Sequence, residues 1–154
     1  MEYGSIEREL HIAATPEVVY QVISTPEHLR EWWPDDAELD PAPGATGTVS
    51  FGDKTAPDAK VVPLTVMDAD PPRRFSFWWA YDKTEAAAPA HALLVTFELI
   101  PSGAGTLVRF TETGFRDQGW TPAVLEEQYH QHATGWDHFL PRLVTYTARL
   151  VSMS

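Results

Sequence analysis

The stretch HQHATGWDHFL, residues 130 to 140, places three histidines, an aspartate and a tryptophan in eleven positions. Imidazoles and carboxylates ligate metals and move protons near neutral pH, so metal binding and acid–base catalysis are the first chemistries to test. Helix geometry argues against a metal. On a wheel of about 100° per residue, His130 and His132 point to nearly opposite sides. His132 and His138 diverge by about 120° on the same wheel. No histidine pair has the i, i+4 spacing of a helical ligand pair, and pairing His130 with Glu126 or His138 with Thr134 leaves no set of three ligands. His130 and His138 read as solvated surface. His132 shares the apolar face with Trp136 and Phe139. It is either a core histidine bonded to a neighbour or a polar group lining a pocket.

Glu112 is the second residue of interest. It continues the alternation of Val108 and Phe110, which points a carboxylate to the same side as two apolar side chains. A buried carboxylate needs partners. Arg8, which alternates with Ile6, Leu10 and Ile12, and His132 are the candidates. An ion pair or an exposed strand end would be structural, and a general acid or base would be functional.

The elements that must position these groups follow from caps and periodicity. Thr15-Pro16, Thr25-Pro26 and Thr121-Pro122 each join a good N-cap to a proline tolerated at the first helical position. They predict two short helices, PEVVYQVIS and PEHLREWW, and a long one from Pro122 to about Val151. Pro141 removes a helical hydrogen bond, so a bend or a fresh start is expected there. On the long helix Leu125, Tyr129, His132, Trp136, Phe139, Leu140, Leu143, Tyr146, Thr147 and Leu150 share one face. Glu126, His130, Asp137 and Arg149 lie opposite. IERELHI precedes the first helix as a strand. TGTVSFG, KVVPLTVMD, RRFSFWWAY, ALLVTFELI and TLVRFTETGF follow the second, alternating through residues such as Phe75, Phe77, Trp79 and Tyr81. Pro63 suggests an edge strand or a bulge. Asp35, Asp36, Glu38 and Asp40 read as an exposed acidic loop that lacks the spacing of a calcium site. The order is that of an α+β fold with a helix packed on an antiparallel sheet.

Composition narrows the function. The chain has 154 residues and a formal net charge of −11, which disfavours nucleic acid and anionic membrane surfaces. It has no cysteine, so disulfides, thiol catalysis and zinc–thiolate sites are excluded. No apolar run approaches the ~20 residues of a membrane span, and the N-terminus lacks a signal peptide's apolar core. A cytoplasmic protein is expected. No phosphate-binding loop, dinucleotide glycine pattern, GxSxG or Ser-His-Asp arrangement is present, and no cofactor or metal is expected. Six Trp, five Tyr and seven Phe are more aromatic residues than a core of this size needs, which suits an apolar or aromatic ligand.

Four stretches in order carry a resemblance. TPEVVYQVISTPEHLREWWP, DADPPRRFSFWW, TLVRFTETGF and GWDHFLPRL make the chain similar to the START/Bet v 1-like (SRPBCC) superfamily. Within it they resemble the branch related to the activator of heat-shock protein 90 ATPase, over residues 1–154 as one domain. The resemblance implies a helix-grip fold, a curved antiparallel sheet wrapped around the long C-terminal helix with a cavity between. Trp33, Phe51, Phe77, Trp79, Phe97, Phe110, Tyr129, Trp136 and Phe139 would form its walls, with Glu112 and His132 orienting a polar group. The expected function is binding of a small hydrophobic or aromatic, lipid- or polyketide-like molecule. One alternative is a cyclase-, aromatase- or hydrolase-like enzyme with Glu112 and His132 as acid and base. Another is a co-chaperone-like interaction module. A monomer or a homodimer fits equally.

Overall fold

The computed structural model describes residues 4–52, 60–79 and 92–152. The order along the chain is β1 (Ser5–Ile12), α1 (Pro16–Ser24), α2 (Pro26–Trp32), β2 (Asp36–Glu38), β3 (Thr46–Phe51), β4 (Lys60–Asp70), β5 (Arg74–Trp79), β6 (Leu93–Ser102), β7 (Gly105–Thr113), a 3-10 turn (Phe115–Asp117) and α3 (Pro122–Ser152). The strands form one curved antiparallel sheet in the order β1-β7-β6-β5-β4-β3-β2. The long helix packs against it in the expected helix-grip arrangement.

All three Thr-Pro signals start helices, but they do so differently. Thr15 Oγ1 accepts from the Val18 N–H at 3.4 Å and Thr121 Oγ1 accepts from the Val124 N–H at 3.3 Å. Thr25 ends α1 as well as opening α2, and its hydroxyl donates back to the Gln21 carbonyl at 2.6 Å. The two short helices are fastened by Trp32, whose Nε1–H donates to the Val22 carbonyl at 3.1 Å.

Alternation places Phe75, Phe77, Trp79, Val95, Phe97, Leu99, Val108 and Phe110 on the buried face of the sheet. The continuation of β5 through Tyr81 lies outside the described residues. Opposite this face, α3 buries Trp136, Leu140, Leu143 and Thr147, a stripe at helical spacing. The other expected face residues, Leu125, Tyr129, His132, Phe139, Tyr146 and Leu150, flank it half-buried.

Several expectations need correction. Pro141 lies inside one continuous helix, so no new segment begins there. Pro63 is not on an edge strand, because β4 lies between β3 and β5. It faces Thr48 just beyond the start of the β4–β5 register at Leu64, and the register shift falls later, between Val66 and Asp68. Asp36 to Glu38 are not loop but the edge strand β2, since Ala37 is buried and pairs with Val49. Asp137 does not merely face solvent. Its carboxylate crosses to β1 and accepts from Arg8 Nε at 2.7 Å and Nη2 at 3.2 Å. Arg8 is therefore committed to α3 and is not the partner of Glu112.

The hydrogen bond from Arg8 holds the Asp137 carboxyl below the usual carboxylate range, with partial burial opposing it. A depressed carboxylate stabilises the fold above its unfolded pKa, and that contribution disappears as pH falls through the folded value. The side chains remain 34% and 57% exposed, so solvent screening keeps the pair small. Asp137→Asn is expected to cost less than about 1 kcal/mol at pH 7. In urea titrations of both proteins the difference should shrink as pH falls below about 4.

Candidate functional site

β7 carries Glu112 between Ile6 of β1 and Val95 of β6, two apolar cross-strand neighbours. The carboxylate is fully buried. It accepts from Trp79 Nε1–H at 2.7 Å on one oxygen and from Trp136 Nε1–H at 2.9 Å on the other. His132 Nδ1 lies 3.0 and 3.2 Å from the same two oxygens. An indole N–H only donates, so both oxygens are held as acceptors. The imidazole correspondingly donates its Nδ1–H, and in a neutral ring with that proton Nε2 is the acceptor. Among the described residues none pairs with Nε2.

Reach explains why these residues meet. β6 separates β5 from β7, and Glu112 lies across Val95 from Phe77, two residues along β5 from Trp79, so the backbones of Trp79 and Glu112 lie about 12 Å apart at ordinary strand geometry. Two long side chains leaning diagonally across β6 close that distance. Trp136 and His132 lie one turn apart on α3 and descend on the carboxylate from the other side. After β7 the chain turns at Gly114, with φ of +105°. A side chain there would be strained by that backbone, and its Cβ would lie 3.1 Å from the Ala92 carbonyl oxygen. The turn brings Phe115 edge-on to His132 at 5.5 Å, and Trp79 meets the same ring edge-on at 5.6 Å. The His132 side chain is 17% exposed.

The family model for activator of Hsp90 ATPase homolog 1-like protein matches residues 13–148. The chain belongs to this family. Among solved structures, protein MLL2253 from Mesorhizobium loti is 26% identical, covering 94% of this chain and 97% of that one, with a TM-score of 0.74. The Aha1 dimer from Colwellia psychrerythraea is 23% identical over 91% of this chain and 92% of that one, with a TM-score of 0.65. DynU16, from the dynemicin biosynthetic locus, is 18% identical over 93% of this chain and 46% of that one, with a TM-score of 0.71. A search of curated proteins returns no significant match.

In this activator of Hsp90 ATPase homolog 1-like chain the expected wall residues form a connected set of rings. Trp33 is central. It lies 5.1 Å from Trp136, 5.2 Å from Trp79 and 5.6 Å from Phe77, centroid to centroid. Phe51 and Phe139 meet each other at 6.3 Å at one end of the set. Phe110 and Phe97 extend it from Trp136, at 4.6 and 5.2 Å in turn. Tyr129 joins through Phe115 and donates its hydroxyl to the Ser5 carbonyl at 3.0 Å. The sequence reading missed Phe115 as a neighbour of His132, although the Gly114-Phe115 pair marks the turn that delivers it. It also missed the two indoles as partners of Glu112. The signal was a carboxylate sharing a face with tryptophans whose N–H groups needed acceptors.

His130 and His138 are exposed, as expected. Among the described residues no group of three or more His, Cys, Asp or Glu side chains is placed to hold a metal ion. None of the described helices is long and apolar enough to cross a membrane.

Three donors on one buried carboxylate make a neutral substitute costly. Glu112→Gln turns an NH₂ group toward one of the N–H donors, and Glu112→Leu removes the acceptor from all three. Each should lose about 3 kcal/mol or more in denaturant unfolding, because buried donors are left unsatisfied. Near-UV circular dichroism of the folded fraction should report altered tryptophan packing. A variant as stable as the parent would show that the network contributes nothing to the fold.

Proposed function

We propose that the protein binds a small apolar or aromatic molecule between the sheet and α3, and that the molecule presents a hydroxyl or similar donor to His132. The observation that carries this reading is the Glu112–His132 hydrogen bond. It engages Nδ1–H with the carboxylate, and in the neutral ring of this proposal Nε2 is left as an acceptor amid rings. Such a site favours a donor on the ligand and disfavours a carboxylate, which would bring one more acceptor to an acceptor. The surrounding aromatic set, with Trp33, Trp79 and Trp136 at its centre, supplies apolar contact. The match of the fold to DynU16, from a biosynthetic locus, is in keeping with a small-molecule role.

A panel of 2-naphthol, 2-naphthoate and naphthalene tests the proposal by thermal shift and isothermal titration. The naphthol should bind best and naphthoate worst. His132→Phe should reduce the preference for naphthol over naphthalene by about tenfold, the equivalent of one hydrogen bond. Equal indifference to all three compounds would count against the reading, as would a preference that survives the substitution. A native mass spectrum of the protein purified without added ligand complements the panel, because a retained small molecule would disclose its own mass.

The same dyad geometry favours a second reading, an enzyme of the cyclase, aromatase or hydrolase type. Nε2 would accept a proton from the bound hydroxyl or an activated carbon, and Glu112 would stabilise the imidazolium formed. Turnover of a retained molecule that is lost in His132→Gln would support it. A third property, self-association, is suggested by the dimeric Colwellia neighbour. Sedimentation equilibrium gives the stoichiometry directly.

A further inference from the structure

Eleven basic residues serve a chain with twenty-two acidic ones, so a cation without a carboxylate partner is unexpected. Five described arginines are paired in ion pairs: Arg8 with Asp137, Arg30 with Asp36, Arg73 with Asp70, Arg74 with Asp68 and Arg109 with Glu9. Arg142 and Arg149 depart from this pattern, with no carboxylate at ion-pair distance among the described residues. Both line one cleft of about 350 Å³ between α2 and α3, together with Glu31, Pro141, Thr145 and Tyr146. Glu31 sits in the same cleft and pairs with neither arginine among the described residues. The charges are held apart instead of neutralising one another.

The cleft is built from ordered parts. Arg142, Thr145, Tyr146 and Arg149 follow one another at three, one and three residues, which puts them on a single face of α3. The two arginines are two turns apart, about 10 Å along the axis. The Arg142 guanidinium lies 5.9 Å from the centroid of Phe139, a stacking that leaves the N–H groups at the guanidinium edge available. The floor is tied across the two helices by a 2.7 Å hydrogen bond between His28 Nδ1 and the Tyr146 hydroxyl. His28 and Glu31 lie one turn apart on α2, so the same short helix provides both the tie and the acidic wall.

We infer that this α2–α3 cleft is a second binding site, distinct from the one around His132, for a small molecule bearing carboxylate or phosphate oxyanions held by Arg142 and Arg149. Guanidinium edges match both oxyanions bidentately, and Thr145, between Arg142 and Arg149 along α3, lines the same cleft. Two groups separated along the helix suit a ligand with two anionic ends, or one phosphate reached by both flexible side chains. Glu31 limits the site to compact anions that avoid the acidic wall, and it supplies an acceptor for any donor the ligand carries.

The test uses the whole protein with inorganic phosphate and with succinate, each titrated against a chloride control of equal ionic strength. Arginine Nε–H signals are followed by NMR, assigned through Arg142→Ala and Arg149→Ala. Saturable shifts confined to Arg142 and Arg149 are expected, weakened at least tenfold by either substitution and unaffected by Arg109→Ala. Glu31→Gln should tighten binding several-fold by removing the opposing charge, and it separates this site from a general response to salt. Saturation by phosphate alone assigns a phosphate-bearing ligand, and saturation by succinate alone assigns a dicarboxylate. Shifts that never saturate, that spread equally over all the arginines, or that persist unchanged in both alanine variants overturn the inference.

Discussion

The Glu112 carboxylate is the group on which the sheet–helix arrangement turns. Burying it among Ile6, Val95 and aromatic rings would cost several kcal/mol without partners. Trp79, Trp136 and His132 supply them. Those partners come from β5 and α3, while the carboxylate itself belongs to β7. One desolvated group therefore fixes the rotation of the long helix, the lean of two indoles and the tautomer of an imidazole. A hydrophobic contact permits sliding, whereas a set of three N–H groups converging on two oxygens does not. The network thus adds directional specificity to a core whose stability comes mainly from burial.

Around that fixed point the interior is dominated by rings. Trp33, at the end of α2, touches Trp79, Trp136 and Phe77, so the short helices close on the same centre as the sheet and the long helix. Edge-on and tilted contacts prevail, as expected of aromatic quadrupoles. His132 belongs to this set by its ring faces and to the polar network by Nδ1. That dual membership gives an otherwise apolar region one polar edge, at Nε2.

The outer surface follows a different rule. Its cations are mostly consumed by nearby carboxylates, in pairs that solvent screens heavily. The Arg8–Asp137 pair stands out because it joins β1 to α3 across the chain, giving the edge strand a polar tie to the helix. The cleft between α2 and α3 stands out for the opposite reason, since Arg142, Arg149 and Glu31 line it without an ion pair among the described residues.

Most of the architecture was legible in the amino-acid sequence. Thr-Pro pairs cap helices by local hydrogen-bond chemistry, and two-residue alternation reports which strand face is buried, so both signals survive without knowledge of the partner elements. The buried stripe Trp136, Leu140, Leu143 and Thr147 likewise follows from helical pitch alone. The short strand β2 escaped because its acidic residues resemble a loop until β3 is beside them. Glu112 and His132 could be singled out from alternation and the helical wheel, but their pairing could not. Arg8 and His132 satisfied the same one-dimensional pattern. Asp137 captured Arg8 because β1 lies next to the helix flank, the Trp79 indole reached Glu112 by leaning across β6, and the Trp136 indole reached it from α3 on the other side. Periodicity determined which side each residue faces. Which of the groups on that side touch was decided only by the folded sheet, because hydrogen bonds act over about 3 Å and that proximity is set by strand order, curvature and helix placement together.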